Sequence, residues 1–546
     1  MRKRISSFLA ILLVLSVFAG CNNNSGTPTS MPTPTENAGG EKSNLPLSDT
    51  PTSFSYWCGT MNLRPTSGLQ TWADSDVFKE LEKRTNVSVD FIHPTGSSIA
   101  ELFSLLLAAG DYPDVMAGTS VGPWPGGYDR YIADGTIIDL RNLYAEFAPN
   151  ITATINLDPD LLRNCITDSQ YMPVVPVVQY QSVIGPTGGL GFRGDWLDEQ
   201  GIDPGSIVTY DDLRVVLRQL KDAYNLQYPY LYNFRFQPLM ELHLYGFNSG
   251  SKFIFDDDRN VLYAPMLEDY RNYLITYHSM MQEGLIDPNL AEYTTVYDFT
   301  PYWLREEVAF GFMMAFWSGD HMYQQGLTDD ANFYLVGIDE PKFNPDIPLH
   351  TGDTTAYNFQ YSFRTGVSFS TQCRDPELVM KWFDYCFTDE GKLLTNYGIE
   401  GIHFNYVDGV PTWSDLIIKN PDGLSLEDTQ QRYLWHFPMF CDFDKELLTY
   451  SDPRQLQNIT KWQSSTDRKW CLPTNYTMTA DESSEYSTLF GDIQTFVNEQ
   501  TMNFLVGNID PNDDTAWNNY VQQIESMSIA RVNALIQAAC DRYYSR

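Results

Sequence analysis

The stretch DPELVMKWFDYCFTDEGKLLTNYGIEGIHF, residues 375–404, carries the clearest structural signals in this sequence. Asp375 is a typical N-cap residue, and Pro376 follows at the first helical position, where its missing N–H is not needed. The apolar positions that come next repeat at helical spacing: Val379, Trp382, Phe383 and Cys386. The stretch therefore predicts a helix that packs one face on a core.

Strand and helix signals alternate upstream, in the first part of the chain. The predicted order is a strand at 54–57, a helix at 75–85, a strand at 87–92, a helix from Ser98 to Gly110 and a strand at 114–116. Glu101, three residues after Ser98, completes a capping-box pattern. This alternation predicts an α/β sheet, in which ligand sites lie at the carboxyl ends of the strands.

Two further helices are indicated later in the chain. Thr209 is a candidate N-cap with Asp212 three residues on, and a buried stripe follows it: Leu213, Val216, Leu217 and Leu220. Near the C-terminus, one helical face is formed by Trp517, Tyr520, Val521 and Ile524.

The N-terminus has the form of a secretory signal. Arg2, Lys3 and Arg4 precede an apolar run from 5 to 19, and the small residues Ala19 and Gly20 lead into Cys21. This resembles a bacterial lipobox, which implies cleavage after residues 1–20 and a lipid on Cys21. An ordinary signal peptide, with Cys21 incidental, is the alternative. Residues 21–50 are rich in Asn, Ser, Thr, Pro and Gly and predict a flexible tether.

Charge and composition limit the class of partner. The formal net charge is −35, so nucleic acid and anionic lipid surfaces are poor partners. The chain contains 12 Trp, 34 Tyr and 31 Phe, which is high for a sequence that is 43% hydrophobic. Part of that excess belongs to the core, and the rest suits a ligand with both C–H faces and hydroxyls, as sugars have.

Catalytic and metal-binding motifs are not evident in the sequence. HExxH and Walker patterns do not occur, GxSxG matches only once, at GTSVG (118–122), and no CxxC pair or His cluster suggests zinc. The acidic run 256–258 lacks the spacing of a calcium loop and predicts a solvated hairpin turn. We therefore expect no cofactor, no metal and no enzymatic activity. The chain has seven cysteines besides Cys21, which could form one or two disulfides, and their spacing does not show which of them would pair.

Four stretches together resemble a known family. In chain order they are AAGDYPDVMAG (108–118), GGYDRYIADGTIIDL (126–140), GFRGDWLDEQGID (191–203) and residues 375–404. Their order and spacing resemble those of extracellular solute-binding proteins that feed oligosaccharides to ABC importers. The resemblance implies an α/β, two-lobed periplasmic-binding-protein-like fold with a hinge and an interlobe cleft. By analogy, the N-terminal lobe comprises 51–180 plus 367–430, and the C-terminal lobe 181–366 plus 431–546.

The resemblance also implies a function. The expected protein is a monomer at the extracellular face of the cell membrane, anchored by the Cys21 lipid, that hands an oligosaccharide to the transmembrane subunits of an ABC permease. The alternatives are a cell-surface glycoside hydrolase or lyase, and a ligand-sensing subunit. A peptide is an alternative ligand.

The candidate ligand contacts are aromatic and polar residues near predicted strand ends and loops. The aromatic candidates are Trp57, Trp124, Tyr128, Trp317, Tyr361 and Trp413. The polar candidates are Asp114, which could instead orient its own loop, and Arg193, which could instead form a salt bridge. Trp196, Trp382 and Tyr397 lie on matched helices and are expected to be packing residues.

Overall fold

The computed structural model describes most of the chain after the predicted tether, and all described residues belong to one compact unit, 39–546. The described residues are 45–58, 63–94, 99–117, 127–180, 188–232, 253–289, 300–314, 326, 330–343, 345–346, 359–435, 439–447, 454–462, 470–473 and 476–546.

The strands, in chain order, are β1 Thr52–Trp57, β2 Val87–Ile92, β3 Val115–Met116, β4 Val175–Tyr180, β5 Gly188–Arg193, β6 Tyr230–Leu231, β7 Phe253–Phe255, β8 Val261–Tyr263, β9 Phe310–Met314, β10 Leu335–Gly337, β11 Phe359–Phe369, β12 Phe404–Val407, β13 Val410–Trp413 and β14 Phe440–Asp442.

The helices are α1 Asp76–Thr85, α2 Ile99–Ala109, α3 Gly127–Ala133, α4 Arg141–Phe147, α5 Pro149–Ile155, α6 Pro159–Asn164, α7 Gly194–Glu199, α8 Tyr210–Tyr224, α9 Glu268–Gln282, α10 Thr300–Leu304, α11 Pro376–Tyr385, α12 Asp389–Tyr397, α13 Asp415–Ile418, α14 Leu426–Tyr433, α15 Asp444–Leu447, α16 Arg454–Trp462, α17 Ala480–Val506, α18 Asp514–Ser526 and α19 Ile529–Tyr544.

The first lobe is built on a six-stranded sheet in the order β14-β4-β11-β3-β1-β2. β11 runs antiparallel to both of its neighbours, whereas the pairs β1–β2, β1–β3 and β14–β4 are parallel. The parallel strands therefore all end at the same edge of the sheet, which we call the carboxyl edge. Its core includes Trp382 and Phe383 of α11, both fully buried.

Strand register shows that part of this sheet extends toward the second lobe. Met116, the last residue of β3, pairs with Ser368, and the neighbouring Val367 pairs with Val175 at the start of β4. The rest of β4, up to Tyr180, therefore extends beyond the end of β3. At about 3.3 Å per residue this extension is roughly 15 Å long.

The second lobe is built on a four-stranded sheet in the order β10-β5-β9-β6. β5 runs antiparallel to β9 and β10, so its first residue, Gly188, lies level with Met314 at the end of β9. The C-terminal helices α17, α18 and α19 pack on the core of this sheet, and Trp517, Tyr520 and Ile524 are buried in it, as their spacing predicts.

The chain passes between the lobes at three points in the part that the structure describes. It leaves the first lobe after Tyr180, returns by Phe359 at the start of β11, and leaves again after α15. β11 begins at Phe359 and β14 ends at Asp442, and both strands pair with β4, so residues on either side of 367–430 also join this sheet. Such pairings between distant segments leave no local signal in the sequence.

Local signals predicted several elements correctly. The Ser75 hydroxyl caps α1, and Thr209 and Asp212 form a reciprocal capping box at the start of α8. Asp375 accepts a hydrogen bond from the Leu378 N–H at 3.0 Å, and Pro376 begins α11. The run 256–258 lies in the turn of the β7–β8 hairpin, where Asp256 accepts backbone hydrogen bonds.

Candidate functional site

Aromatic residues gather at the carboxyl edge of the first-lobe sheet. Trp57 ends β1 and Met116 ends β3, and both pack with Phe103 of α2 and with Ile137. Half-buried tyrosines cover this group from the side: Tyr112, Tyr128 and Tyr131. We call these seven residues the edge cluster. It lies where parallel α/β sheets bind ligands, and it offers apolar surface with phenolic hydroxyls.

Trp57 forms the floor of the edge cluster. Its ring lies 5.2 Å from that of Phe103, and only 4% of its surface is exposed. Tyr128 lies at the second position of α3 and retains an exposed part. The structure therefore brings two of the predicted ligand contacts together, one as support and one at the surface.

The α3 helix also adjoins the second lobe. A Cβ added at Gly127 would lie 4.0 Å from the carbonyl oxygen of Met478, whose side chain packs on the second-lobe core. On the other side, Asp129 accepts a hydrogen bond of 2.6 Å from the Ser169 hydroxyl. Tyr128 thus lies on an element that borders the space between the lobes.

A charged contact joins the two lobes beside α3. Asp168 of the first lobe accepts hydrogen bonds from Arg542 at 3.0 Å, from Arg546 at 2.8 Å and from the Thr477 hydroxyl at 2.9 Å. The Tyr543 hydroxyl adds a bond of 2.8 Å to Asn164. We call this group the Asp168 junction. Sequence reasoning missed it, because its partners are more than 300 residues apart.

Asp114 is engaged inside the first lobe. It precedes β3, accepts bonds from the Ser55 N–H and hydroxyl at 2.8 Å, and pairs with the Arg374 guanidinium at 2.7 Å. Burial alone would raise the pKa of Asp114, but these hydrogen bonds outweigh it and hold the pKa well below its usual range. Its carboxylate oxygens bond Ser55 of the sheet and Arg374 just before α11. This agrees with the alternative role stated above, in which Asp114 orients its own loop.

Arg193 is likewise committed to an internal partner. Its guanidinium pairs with Asp195 through bonds of 2.9 and 2.5 Å and lies between the rings of Trp196 and Phe333. Only 1% of the residue is exposed. It also ends β5, at the opposite end of that strand from Gly188 and the crossover. The salt bridge anticipated as its alternative role is what the structure shows.

Trp413 packs in the first-lobe core. It ends β13, opposite Phe404, and its ring lies 6.3 Å from that of Tyr397. Only 4% of Trp413 is exposed, so it presents little surface to a ligand. Tyr361 lies in β11 opposite Val178, on the strand pair that extends toward the second lobe, and its side chain is outside the described residues.

Three sequence candidates fall outside the described residues: Trp124, Trp317 and Cys21. The packing residues behave as expected, since Trp196, Trp382 and Tyr397 are all buried. Tyr112 and Tyr131 were not singled out from the sequence. Tyr112 lies in the stretch 108–118 and Tyr131 in 126–140. Their aromatic side chains close to the end of a predicted strand are the feature of the sequence that could have identified them.

A buried carboxylate lies beside the crossover segments. Asp442 ends β14 opposite Tyr180, accepts a 3.1 Å bond from the Tyr397 hydroxyl and also accepts the Asp444 N–H. Burial, followed by the nearby Asp444 charge, raises the pKa of Asp442 to about 6, although Lys445 opposes the shift.

The described part of the chain shows neither a metal-binding cluster nor a membrane-spanning helix. There, no group of three or more His, Cys, Asp or Glu side chains is arranged to hold a metal ion. Among the same residues, no helix combines the length and hydropathy needed to cross a bilayer. Cys165, Cys373, Cys386 and Cys540 are not in disulfides, and burial raises the pKa of Cys373 and of Cys540 to about 12.

Comparison with known proteins gives one curated relative and many solved structures. No protein-family model matches the chain. The chain is similar to a carbohydrate ABC transporter substrate-binding protein of Streptococcus pneumoniae, with 23% identity over 238 residues. The aligned part spans 42% of this chain and 45% of that relative, which is less than half of either.

Solved structures match almost the entire chain. The alginate-binding protein AlgQ2 has a TM-score of 0.68 at 19% identity, covering 92% of this chain and all of that one. An HMO-binding solute-binding protein of Bifidobacterium longum infantis has a TM-score of 0.70 at 17% identity, covering 91% and 99%. FusA of S. pneumoniae, in complex with kestose, has a TM-score of 0.65 at 16% identity, covering 90% and 99%. The predicted two-lobed α/β fold is thereby confirmed as that of solute-binding proteins.

Proposed function

We propose that this protein is the substrate-binding component of an ABC importer and captures an oligosaccharide between its lobes. The observation that carries the proposal is the aromatic edge cluster at the carboxyl edge of the first-lobe sheet, on the side where α3 approaches Met478 of the second lobe. The named functions of the similar proteins support it, because they bind glycans or serve carbohydrate transporters. The protein would act without chemistry.

The proposed ligand contacts combine structure and sequence. Tyr128 is a partly exposed residue of the cluster that contains Trp57, and a sugar's C–H face would stack on its ring while the sugar hydroxyls meet the phenol. Trp124 and Trp317 follow β3 and β9 in the sequence and remain proposed contacts. Asp114, Arg193 and Trp413 are left out of this set because their side chains are occupied within the protein.

The proposed working cycle depends on the ligand making more contacts in the closed arrangement of the lobes than in the open one. A ligand that touches both lobes binds the closed arrangement better, so it shifts the population toward closure. The closed form would dock on the permease, and a Kd near micromolar, about −8 kcal/mol, would suffice. We further propose that the lipid on Cys21 keeps the protein at the extracellular face of the membrane, where it acts as a monomer.

A titration with matched variants tests the proposal. Calorimetry of the purified protein against a panel of oligosaccharides should identify a ligand, and Tyr128→Ala should weaken it by roughly tenfold or more. Tyr406→Ala is the control, since that tyrosine is 50% exposed on the β12–β13 hairpin of the first lobe. Equal affinity in both variants would remove Tyr128 from the site. New reducing ends in the same tubes would indicate a hydrolase or lyase instead.

A further inference from the structure

We infer that a turn formed by residues 167–171 ties α3 to the second lobe, which makes Asp168 and Ser169 positioning residues for ligand binding. This inference rests on the proposed function, because it takes Tyr128 of α3 as a ligand contact. Asp168 and Ser169 are neighbours in the chain, but their side chains bond to different parts of the protein. The turn therefore connects the helix that carries the proposed ligand contact with the opposite lobe.

The backbone of the turn is fixed by its own hydrogen bonds. The Gln170 N–H donates to the Thr167 carbonyl at 2.9 Å, so Asp168 and Ser169 are the two central residues of a β-turn. The Thr167 N–H donates to the Tyr171 carbonyl at 2.9 Å, and the Thr167 hydroxyl accepts the Tyr171 N–H at 3.2 Å. The two central side chains therefore project from a backbone with little freedom.

The turn is anchored to the first lobe beside the edge cluster. The next residue, Met172, donates its N–H to the Asp139 carboxylate at 3.0 Å, and its carbonyl accepts the Leu140 N–H at 2.9 Å. Asp139 and Leu140 closely follow Ile137, which belongs to the edge cluster. The turn is thus held in place next to the proposed ligand site.

Ser169 connects the turn to α3. Its hydroxyl donates to one carboxylate oxygen of Asp129, the residue after Tyr128, at 2.6 Å. The other Asp129 oxygen is buried and has no hydrogen-bond partner among the described residues. Among these residues, the Ser169 bond therefore holds the carboxylate, and with it the first turn of α3, to the 167–171 turn. Ser169 itself is exposed, so its substitution leaves the core intact.

Asp168 connects the turn to the second lobe through the Asp168 junction. One of its partners, Arg542 of α19, also bonds Glu482 at the start of α17, at 3.0 and 2.5 Å. Arg542 is thus fixed within the second lobe by Glu482 while it donates to Asp168 of the first lobe at 3.0 Å. The Arg542 guanidinium therefore ties the turn to a defined position on the second lobe.

The turn and α3 also meet the same short segment of the second lobe. The Thr477 hydroxyl donates to Asp168, and the carbonyl oxygen of the next residue, Met478, is the atom that a Cβ at Gly127 would approach to 4.0 Å. Loss of either side-chain bond of the turn would loosen α3 relative to this segment. Since ordering a binding site in advance raises affinity, we expect such a loss to weaken a ligand that contacts Tyr128 and the second lobe.

Calorimetry of the full chain with matched variants tests the inference. The probes are kestose, xylotetraose, lacto-N-tetraose and an alginate tetrasaccharide. For every probe that the wild type binds, Ser169→Ala should bind it roughly threefold or more weakly, because a hydrogen bond to a carboxylate is lost. Ser169→Thr keeps a hydroxyl and should restore the affinity. Ser53→Ala is the control, since the Ser53 hydroxyl donates to Asp90 at 2.7 Å near the start of β1, at the opposite end of that strand from the carboxyl edge.

Further measurements separate positioning from general stability. In the Tyr128→Ala background, Ser169→Ala should weaken binding by less than about twofold more, because both changes act on the same contact. In the ligand-free protein, the backbone amides of α3 should exchange their hydrogens faster in Ser169→Ala than in Ser53→Ala. Asp168→Asn keeps the shape of the turn without its charge, and it should also weaken binding by roughly threefold or more.

The outcomes separate this inference from the proposed function. If Ser169→Ala binds as tightly as the wild type, or exchanges its α3 amides no faster, the inference is overturned. The same follows if the losses from Tyr128→Ala and Ser169→Ala add fully, or if Asp168→Asn keeps the full affinity. In each of these cases the proposed function stands, as long as the wild type binds a glycan. If the wild type binds none of the probes and no member of a wider glycan panel, the proposed function fails and this inference fails with it.

Discussion

At the scale of single residues, two arginine–carboxylate pairs share one spacing but differ in burial. Arg193 and Asp195 are almost fully buried, whereas Arg305 and Glu307 are about half exposed. Removing one member of a buried pair leaves an uncompensated charge, so Arg193→Ala should destabilise the protein by about 3–5 kcal/mol. Arg305→Ala should leave stability unchanged within error, because solvent screens the exposed pair.

Urea unfolding of both variants measures this difference. Equal midpoints for Arg193→Ala and the wild type would contradict a structural role for Arg193. A loss of glycan affinity in a stable Arg193→Ala protein would return Arg193 to the ligand site.

Asp442 gives a prediction about pH. Burial raises its pKa to about 6, so between the ordinary aspartate value and pH 6 the native state binds a proton more tightly than the unfolded chain. The stability that this group contributes is present at low pH and is lost as pH rises through that range. Asp442→Asn should therefore raise the free energy of unfolding at about pH 7.5, by at most about 3 kcal/mol, and have little effect near pH 4.

Denaturant titrations at the two pH values check this prediction. Tyr397→Phe removes a hydroxyl that donates to the carboxylate, so it should lower stability at neutral pH, opposite in sign to Asp442→Asn. A destabilised Asp442→Asn protein at neutral pH would show that its hydrogen bonds outweigh the cost of burial.

The roles of single residues were the hardest feature to predict from the sequence. Arg193 and Asp195 are close in sequence, but nothing local shows that both are buried. Asp114 depends on Arg374, which is 260 residues away. Residue type near a strand end can place a side chain at the edge of the sheet, as with Trp57 and Tyr128, but it does not show which partners that side chain has in the folded protein.

At the scale of elements, capping is the feature with the most direct test. The Thr209 hydroxyl accepts the Asp212 N–H at 3.2 Å, and the Asp212 carboxylate accepts the Thr209 N–H at 2.9 Å. Thr209→Ala removes half of this box and should cost about 1 kcal/mol. Val215→Ala, at a position 58% exposed on the same helix, is the control and should change stability by less than about 0.5 kcal/mol.

Thermal and urea unfolding compare the two variants. If Thr209→Ala were as stable as Val215→Ala, the cap would contribute nothing beyond what water supplies to the helix end.

Helices and strands were predictable because their signals are local. Ser75, Thr209 and Asp375 mark helix starts at the residues where the structure has them, and the strand at 87–92 has the predicted bounds. These signals need only a few neighbouring residues. Edge strands such as β14 lack them, since three residues with no clear alternation become a strand only by pairing with β4.

At the scale of the whole molecule, the Asp168 junction is a direct contact between the lobes among the residues that the structure describes. Asp168→Ala would remove a carboxylate that bonds both Arg542 and Arg546, and the Arg546 side chain is only 2% exposed. We expect a loss of about 2–3 kcal/mol and a larger radius of gyration of the ligand-free protein. Asp134→Ala breaks an exposed pair of the first lobe and should cost about 0–1 kcal/mol with no change in size.

Calorimetric unfolding and small-angle scattering give the two readouts. Loss of stability without a change in size would mean that Asp168 supports its own lobe only, and the junction would not hold the lobes together.

The two-lobed architecture was predictable through resemblance, whereas the strand pairings that join distant segments were not. The quoted stretches 108–118, 126–140, 191–203 and 375–404 fix the order of the elements. The exact crossover points depend on β11 and β14 pairing with β4, which joins segments more than 170 residues apart. Pairing between such distant segments depends on the folded sheet, so no short stretch of the sequence predicts it.

Native mass spectrometry of the protein with oligosaccharides is the decisive test of glycan binding without chemistry. Each chain should gain the mass of a single intact glycan, and the free glycan should keep its mass after prolonged incubation. A spectrum with no added mass across a broad panel, or with shortened glycans in solution, would contradict the proposed function.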